Sequence, residues 1–362
     1  MAIVFLGDIA SPNGNCSEDL RRSLSKAKRV FHGNDTIVNL EGLIASISVD
    51  SATPVLFNHP SIVDVLKQIN TRATSLANNH TLDLPFELSS TVRALADYGI
   101  VKFGAGMSPE EAAAPARFLS GSTQVLVFGG CWDLLLQHQP GQFRRCCAVN
   151  PLQPDRILGA VRRARLENEK AIIILLMHWS FDLEKLPFPM YRQLAKDLID
   201  AGANAVIGSH AHCVQGGERH GKGIVVYGLG NFFVPWYTFI NGTIHFPEFS
   251  REQLALEWDP LTGEARCHWF RYENSEERHR VIYEGSNSFD DCARLRTHSL
   301  YAGMGNAEYL RWFRANRRKN RLIPIYRDYR HSVRNSLRDK YLRLRIGFAR
   351  FLATRGLREW NN

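Results

Sequence analysis

Five short strand-like runs in this chain each stop at residues fit to hold a metal ion, and that recurrence constrains the fold more than any single motif. Ile3 to Leu6 ends at Gly7-Asp8, Thr36 to Leu40 delivers Asn39 and Glu41, and Ala73 to Leu76 leads into Ala77-Asn78-Asn79-His80. Ala171 to Met177 ends at His178, and Ala203 to Ile207 passes through Gly208-Ser209 to His210 and His212. Segments of helical period lie between the runs, at about Leu20 to Val30, Pro60 to Ile69, Phe86 to Tyr98, Arg156 to Glu169 and Pro189 to Ala201. Strands alternating with helices predict a largely parallel sheet, and open α/β sheets carry their sites beyond the carboxyl ends of the strands. Arg117 to Gly121 and Gln124 to Phe128 read as a hairpin. Gly223 to Tyr227, Glu252 to Trp258 and Glu264 to Tyr272 alternate polar and apolar residues, which predicts an antiparallel second sheet packed on the first, with helices outside. The long irregular segment from Cys131 to Pro154 is expected to be a lid or a substrate-facing loop.

Composition bounds the class. At 362 residues and 44% apolar content the chain is long enough to bury a sizeable core. Seven cysteines, an odd number with no C-x-x-C pair, argue for structural thiols in a reducing compartment rather than a disulfide framework. The start, MAIVFLGD, has neither a basic n-region nor a cleavage site, so no signal peptide is expected. The net charge of +9 is unevenly placed: residues 311 to 358 carry +14, which leaves the rest at −5. Within that tail Tyr326, Tyr329, Val333, Leu337, Tyr341, Leu344, Phe348 and Phe351 recur at spacings of three and four, the stripe of a long amphipathic helix whose other face is arginine. Two readings follow: a helix laid on the domain with a solvated basic face, or attachment to an anionic membrane surface or polymer. No nucleic-acid-binding motif accompanies the charge. The expected division is a catalytic domain over 1–285 and a basic helical extension over 286–362, in a cytoplasmic protein peripheral to the inner membrane.

The strand-end residues Asp8, Glu41, Asn79, His80, His178, His210 and His212 form one inventory. On an extended segment His210 and His212, two apart, would project to the same side and meet one point. Taken singly, each residue has an ordinary structural explanation, such as a turn or a helix cap. Together, oxygen and imidazole donors suit one or two divalent ions such as manganese, iron or zinc, with no thiolate needed. Two such ions against two carboxylates leave a site of about +2 that attracts phosphate. A bound water with its pKa lowered towards about 7 would attack, and His80 would protonate the leaving oxygen.

The motifs GD near the start, NLEG at Asn39 to Gly42, ANNH-T-x-D at Ala77 to Asp83, HW at His178, and DAGANAVIGSHAHCVQGGE with GLGNF after it resemble the CapA family of capsule-synthesis or poly-γ-glutamate biosynthesis proteins. The resemblance covers about residues 3 to 234 and extends to the calcineurin-like metallophosphoesterases. It implies an α/β fold, a four-layer α/β/β/α sandwich of two mixed sheets, here with a helical basic C-terminal extension. It further implies that Asp8 and His212 hold one metal, that Asn79, His178 and His210 hold the other, that Glu41 bridges, and that His80 is the acid. Asn39, Trp179, Asp182 and Asn231, inside the same motifs, are expected to meet substrate. The chain departs from the pattern at Ala10, where a histidine ligand is usual, and at Ser180, Asp182, Ala211 and Gly228. The implied function is a metal-dependent phosphomonoesterase or phosphodiesterase acting on a phosphorylated small molecule or anionic polymer in capsule, surface-polysaccharide or poly-γ-glutamate production. The alternatives are a non-catalytic assembly factor with a structural metal site, and a metal-dependent amide hydrolase.

Overall fold

A computed structural model describes residues 1–46, 55–136, 147–239, 244–275, 278–317 and 322–354. Two mixed sheets dominate it. The first has seven strands, in the spatial order His279–Ser288, Ala265–Asn274, Glu252–Trp258, Ile3–Ile9, Asp35–Leu40, Thr71–Ser75, Val101–Phe103. The last four run parallel, and Glu252–Trp258 joins them antiparallel to Ile3–Ile9. The second sheet has six strands, in the order Val214–His220, Gly223–Leu229, Ala205–Ser209, Ile172–His178, Thr123–Cys131, Ala116–Ser120. Its four inner strands are parallel and its two edges antiparallel.

The alternation of side chains along each strand explains the layering. Ile3 and Phe5 of the first sheet and Ile172, Ile174 and Leu176 of the second share one buried cluster, so the sheets face each other. Val4 and Leu6 turn the other way, onto Leu20 and Leu24 of the Gly14–Lys26 helix and Ile62 and Leu66 of the Ile62–Gln68 helix. Ile173, Leu175 and Met177 likewise pack outward on the Pro154–Glu167 and Pro189–Asp200 helices. The result is a four-layer α/β/β/α sandwich.

Two expectations are corrected. The strands Glu252–Trp258 and Ala265–Asn274 do not build the second sheet but return to complete the first, and Gly223–Leu229 lies parallel, inside the second. Alternation reports that a strand is half covered; it does not say by which sheet. The Gly14–Lys26 helix begins about six residues before the expected start, because the Asn13 side chain caps it by accepting from the Cys16 amide. The His279–Ser288 strand spans residue 285, and beyond it Tyr301, Tyr309, Phe313, Tyr326 and Leu342 belong to the same cluster as the outer face of the second sheet. Of the segment from Cys131 to Pro154, the described ends are pinned: the Cys131 amide donates to Asn150 O, the Leu152 amide to Cys131 O, and Ala148–Val149 pairs with Ala105–Gly106. Residues 137–146, where a lid was expected, lie outside the described residues.

Candidate metal centre

The two sheets are stitched together where their carboxyl ends meet. Beyond Leu229 the chain crosses to run beside the first strand: the Asp8 amide donates to Gly230 O (3.1 Å), the Phe233 amide to Asp8 O (3.0 Å), and the Ala10 amide to Phe233 O (2.7 Å). Contact this close requires glycine, since a Cβ on Gly7 would lie 2.0 Å from Gly230 O. Asp8, Glu41, Asn79 and His80 arrive from the first sheet, and His178, His210 and His212 from the second.

Glu41 is the most telling of these. It is fully buried, and neither carboxylate oxygen has a hydrogen-bond partner. Burial, and then the neighbouring Asp8, push its carboxyl well above the usual range. A buried carboxylate without a donor costs several kcal/mol, which the charge of His80 offsets only in part, since the carboxyl stays well above its usual range; a cation among the surrounding donors would offset it fully. Those donors converge. The ligand atoms of Glu41, His178 and His210 lie within 4.8 Å of one another, as do those of Asp8, Glu41 and His212, and those of Asp182, His210 and His212. Glu41 is common to the first two groups and His212 to the last two. Burial, and then the His210, His212 and His80 imidazoles, hold His178 well below the ordinary histidine value, and burial also lowers His212, so both are neutral and able to donate a lone pair.

The ligand atoms are oriented from behind. Asp8 Oδ1 accepts from Asn39 Nδ2 (2.8 Å) and Oδ2 from the His210 amide (3.1 Å). His178 Nδ1 shares a hydrogen bond with Ser209 Oγ (3.0 Å), and its Nε2 lies 2.9 Å from Asn79 Oδ1. His212 Nδ1 is 2.6 Å from Asn231 Oδ1. Asp182 Oδ1 stands 2.9 Å from His210 Nε2, yet that nitrogen has no hydrogen bond, so the oxygen lies off the N–H direction. Two ligand atoms adjacent but not aimed at each other are what a shared cation would leave between them. Oxygen and nitrogen donors, an orphaned buried carboxylate and neutral imidazoles fit a divalent metal.

His210 and His212 do not sit on an extended segment. The strand ends at Ser209, and both histidines have positive φ (82° and 52°), with their ring centroids 5.7 Å apart. The left-handed backbone turns the rings inward, at a cost of about 1–3 kcal/mol per residue that the stitching must hold. Ser180 and Leu183, either side of Asp182, are also left-handed (78° and 59°).

The four residues expected to meet substrate differ in their surroundings. Asn39 is buried behind Asp8 and also takes part in a 3.4 Å contact with Asn78 Nδ2. Trp179 is buried, stacked on Tyr191 at 5.0 Å, with its Nε1 donating to Tyr227 O. Asn231 is buried against His212, and only Asp182 is half-exposed, among the ligand groups. Ala10 supplies no ligand and packs with Leu56, Val234 and Phe239. His80 stands at the partly open side, its Nδ1 donating to Asp83 (2.7 Å). Burial would lower its pKa, but Asp83, with Glu41 and Asp182, raises it to about 9. Three contributors carried no sequence signal of their own: Asn78, whose side chain ties Leu40, Gly42 and Thr81 together; Ser209; and Phe246, whose ring lies 4.9 Å from that of His212.

Comparison with known proteins places the chain among relatives. The capsule biosynthesis protein CapA of Bacillus anthracis is 26% identical over 181 residues, 47% of this chain and 42% of that one. A probable polyglutamine synthesis accessory protein of Mycobacterium tuberculosis is 28% identical over 263 residues, 68% of each chain. The chain thus spans less than half the length of the Bacillus relative. Among solved structures, a phosphatase from Mycoplasma pneumoniae aligns with 83% of this chain and 98% of its own, at 13% identity and a TM-score of 0.47. The model of the bacterial capsule synthesis protein PGA_cap family matches residues 2–235, a stretch that takes in every side chain of the centre from Asp8 to Asn231, and the chain belongs to that family.

Proposed function

We propose that the centre holds one or two divalent ions, of manganese, iron or zinc, and that the chain is a metal-dependent hydrolase of phosphoester type, serving capsule, surface-polysaccharide or poly-γ-glutamate production. The observation that carries this is Glu41, a buried carboxylate with no donor, facing the His178, His210 and His212 imidazoles. Asp8, Glu41, Asn79, His178, His210 and His212 would hold the metal, with Asp182 beside them. When bound, the metal would acidify a water and polarise a phosphoryl oxygen. Asn39, Ser209, Asn231 and the His210 amide keep the ligand atoms aimed inward. His80, anchored through Nδ1 on Asp83, keeps Nε2 available to give a proton to a leaving oxygen. The pathway rests on the relatives' names.

The test is metal content together with turnover of p-nitrophenyl phosphate and its diester in manganese. Wild type is expected to bind metal and hydrolyse one of them. His210→Ala should lose metal and activity together, whereas His80→Ala should keep the metal and lose about 10²–10⁴-fold in turnover. A fully loaded wild type inert towards both esters in manganese, iron and zinc would refute the hydrolase and leave a structural centre in an assembly factor.

A further inference from the structure

The Ser332–Thr354 helix carries five large apolar side chains on the face turned away from the domain. It is seated by Leu342, 2% exposed, by the Asp339 carboxylate accepting from the Tyr326 hydroxyl, and by Asn335 Nδ2 donating to Asp328 O. Tyr326 and Tyr329, expected to open the helical stripe, are instead buried ahead of the helix. The next five members are left outside: Val333 is 73% exposed, Leu337 60%, Tyr341 45%, Leu344 76% and Phe348 63%, while the Phe351 side chain lies outside what is described. At 100° per residue these five occupy an arc of about 80° on the side opposite Leu342. Exposed Arg334 and Lys340 border the arc on either side, with Arg343 beyond. Asp339, the helix's one acid, is on the seated side.

We propose that this face docks on an anionic lipid surface, the helix lying in the plane of the interface with its apolar arc in the acyl boundary and its cations among the headgroups. An apolar stripe edged by cations is the composition such helices have. A carboxylate polymer would be met by the basic edges and would leave the apolar arc in water. A second copy would set cations against cations along both borders, in a tail already at +14. No helix among the described residues is long and apolar enough to cross a membrane. The proposal does not depend on the metal centre.

The test is sedimentation of the whole protein with vesicles of phosphatidylcholine alone or of two parts phosphatidylcholine to one part phosphatidylglycerol. Binding is expected to the anionic vesicles only and to weaken with added salt. Leu337→Glu with Leu344→Glu, and separately Arg334→Glu with Lys340→Glu, should each reduce the partition about tenfold or more. All four positions are exposed, and an unchanged circular dichroism spectrum would confirm folding. Failure of wild type to sediment with anionic vesicles would overturn the proposal. So would sedimentation indifferent to the leucine pair. A dimer in light scattering that the leucine pair dissociates, without vesicle binding, would assign the face to a second copy; retention by poly-γ-glutamate in place of vesicles would assign it to polymer.

Discussion

At the scale of single residues, the centre shows which side chains announce themselves in a sequence and which do not. Asp8, Glu41, His178, His210 and His212 were legible because each follows a strand-like run, and strand ends converge in an α/β sheet. The reason offered for the histidine pair was nevertheless wrong, since left-handed backbone, not strand alternation, aims both rings. Trp179 looks like a site residue because it follows His178 in sequence, but alternation turns an adjacent side chain away and it is buried behind the site, whereas Asn39, two before Glu41, is buried behind Asp8 and donates to it. Asp182, expected to meet substrate, stands within a group of potential metal ligands. Asp182→Ala should therefore weaken manganese binding to the metal-free protein by about 10–100-fold, the range for disturbing a ligand environment, as measured by direct titration. Unchanged metal affinity with a raised KM would return Asp182 to the substrate.

At the scale of elements, the strands and helices themselves were largely readable, and their partners were not. Glu252–Trp258 and Ala265–Asn274 alternate as edge-side strands do in either sheet, and only the long return of the chain decides which. The C-terminal helices depend on a buried pair that no local pattern reveals. Arg192, on the Pro189–Asp200 helix, donates to both Glu218 oxygens (2.6 and 2.8 Å) and to Tyr301 O (3.2 Å), and lies 4.7 Å from the Tyr309 ring. Tyr227 Oη also donates to Glu218 (2.8 Å). Burial alone would raise the Glu218 carboxyl, but Arg192, Lys196 and Tyr227 outweigh it and hold it below the ordinary value. A carboxyl depressed by folding contributes stability that is full above the unfolded pKa, about 4.3, and is lost as pH falls through the folded value. Glu218→Gln is expected to cost about 3–5 kcal/mol at neutral pH by leaving Arg192 buried without its counter-charge. Its stability should also decline less steeply on acidification, in urea melts at pH 7 and at pH 4. An acid decline as steep as wild type would show that Glu218 does not set that limb.

At the scale of the molecule, the centre is a seam. One sheet brings Asp8, Glu41 and Asn79, the other brings His178, His210 and His212, and main-chain hydrogen bonds from Gly230 and Phe233 to the first strand close the gap between them. An ion there binds the folded chain and not the unfolded one, so it stabilises the whole sandwich: at a free concentration a hundred times Kd the gain is about 2.7 kcal/mol. The metal-free protein carries the opposite burden, since Glu41 must be buried with no donor to either oxygen. These two effects separate in Glu41→Gln, where the volume is kept and the charge removed. Without metal the variant should melt at or above the temperature of metal-free wild type, because a neutral amide costs less to bury than an unpaired carboxylate. On adding manganese, wild type should rise and the variant should stay nearly where it was. If the metal-free variant melts well below metal-free wild type, Glu41 supports the seam without any ion, and the case for a cation resting on its missing partners fails.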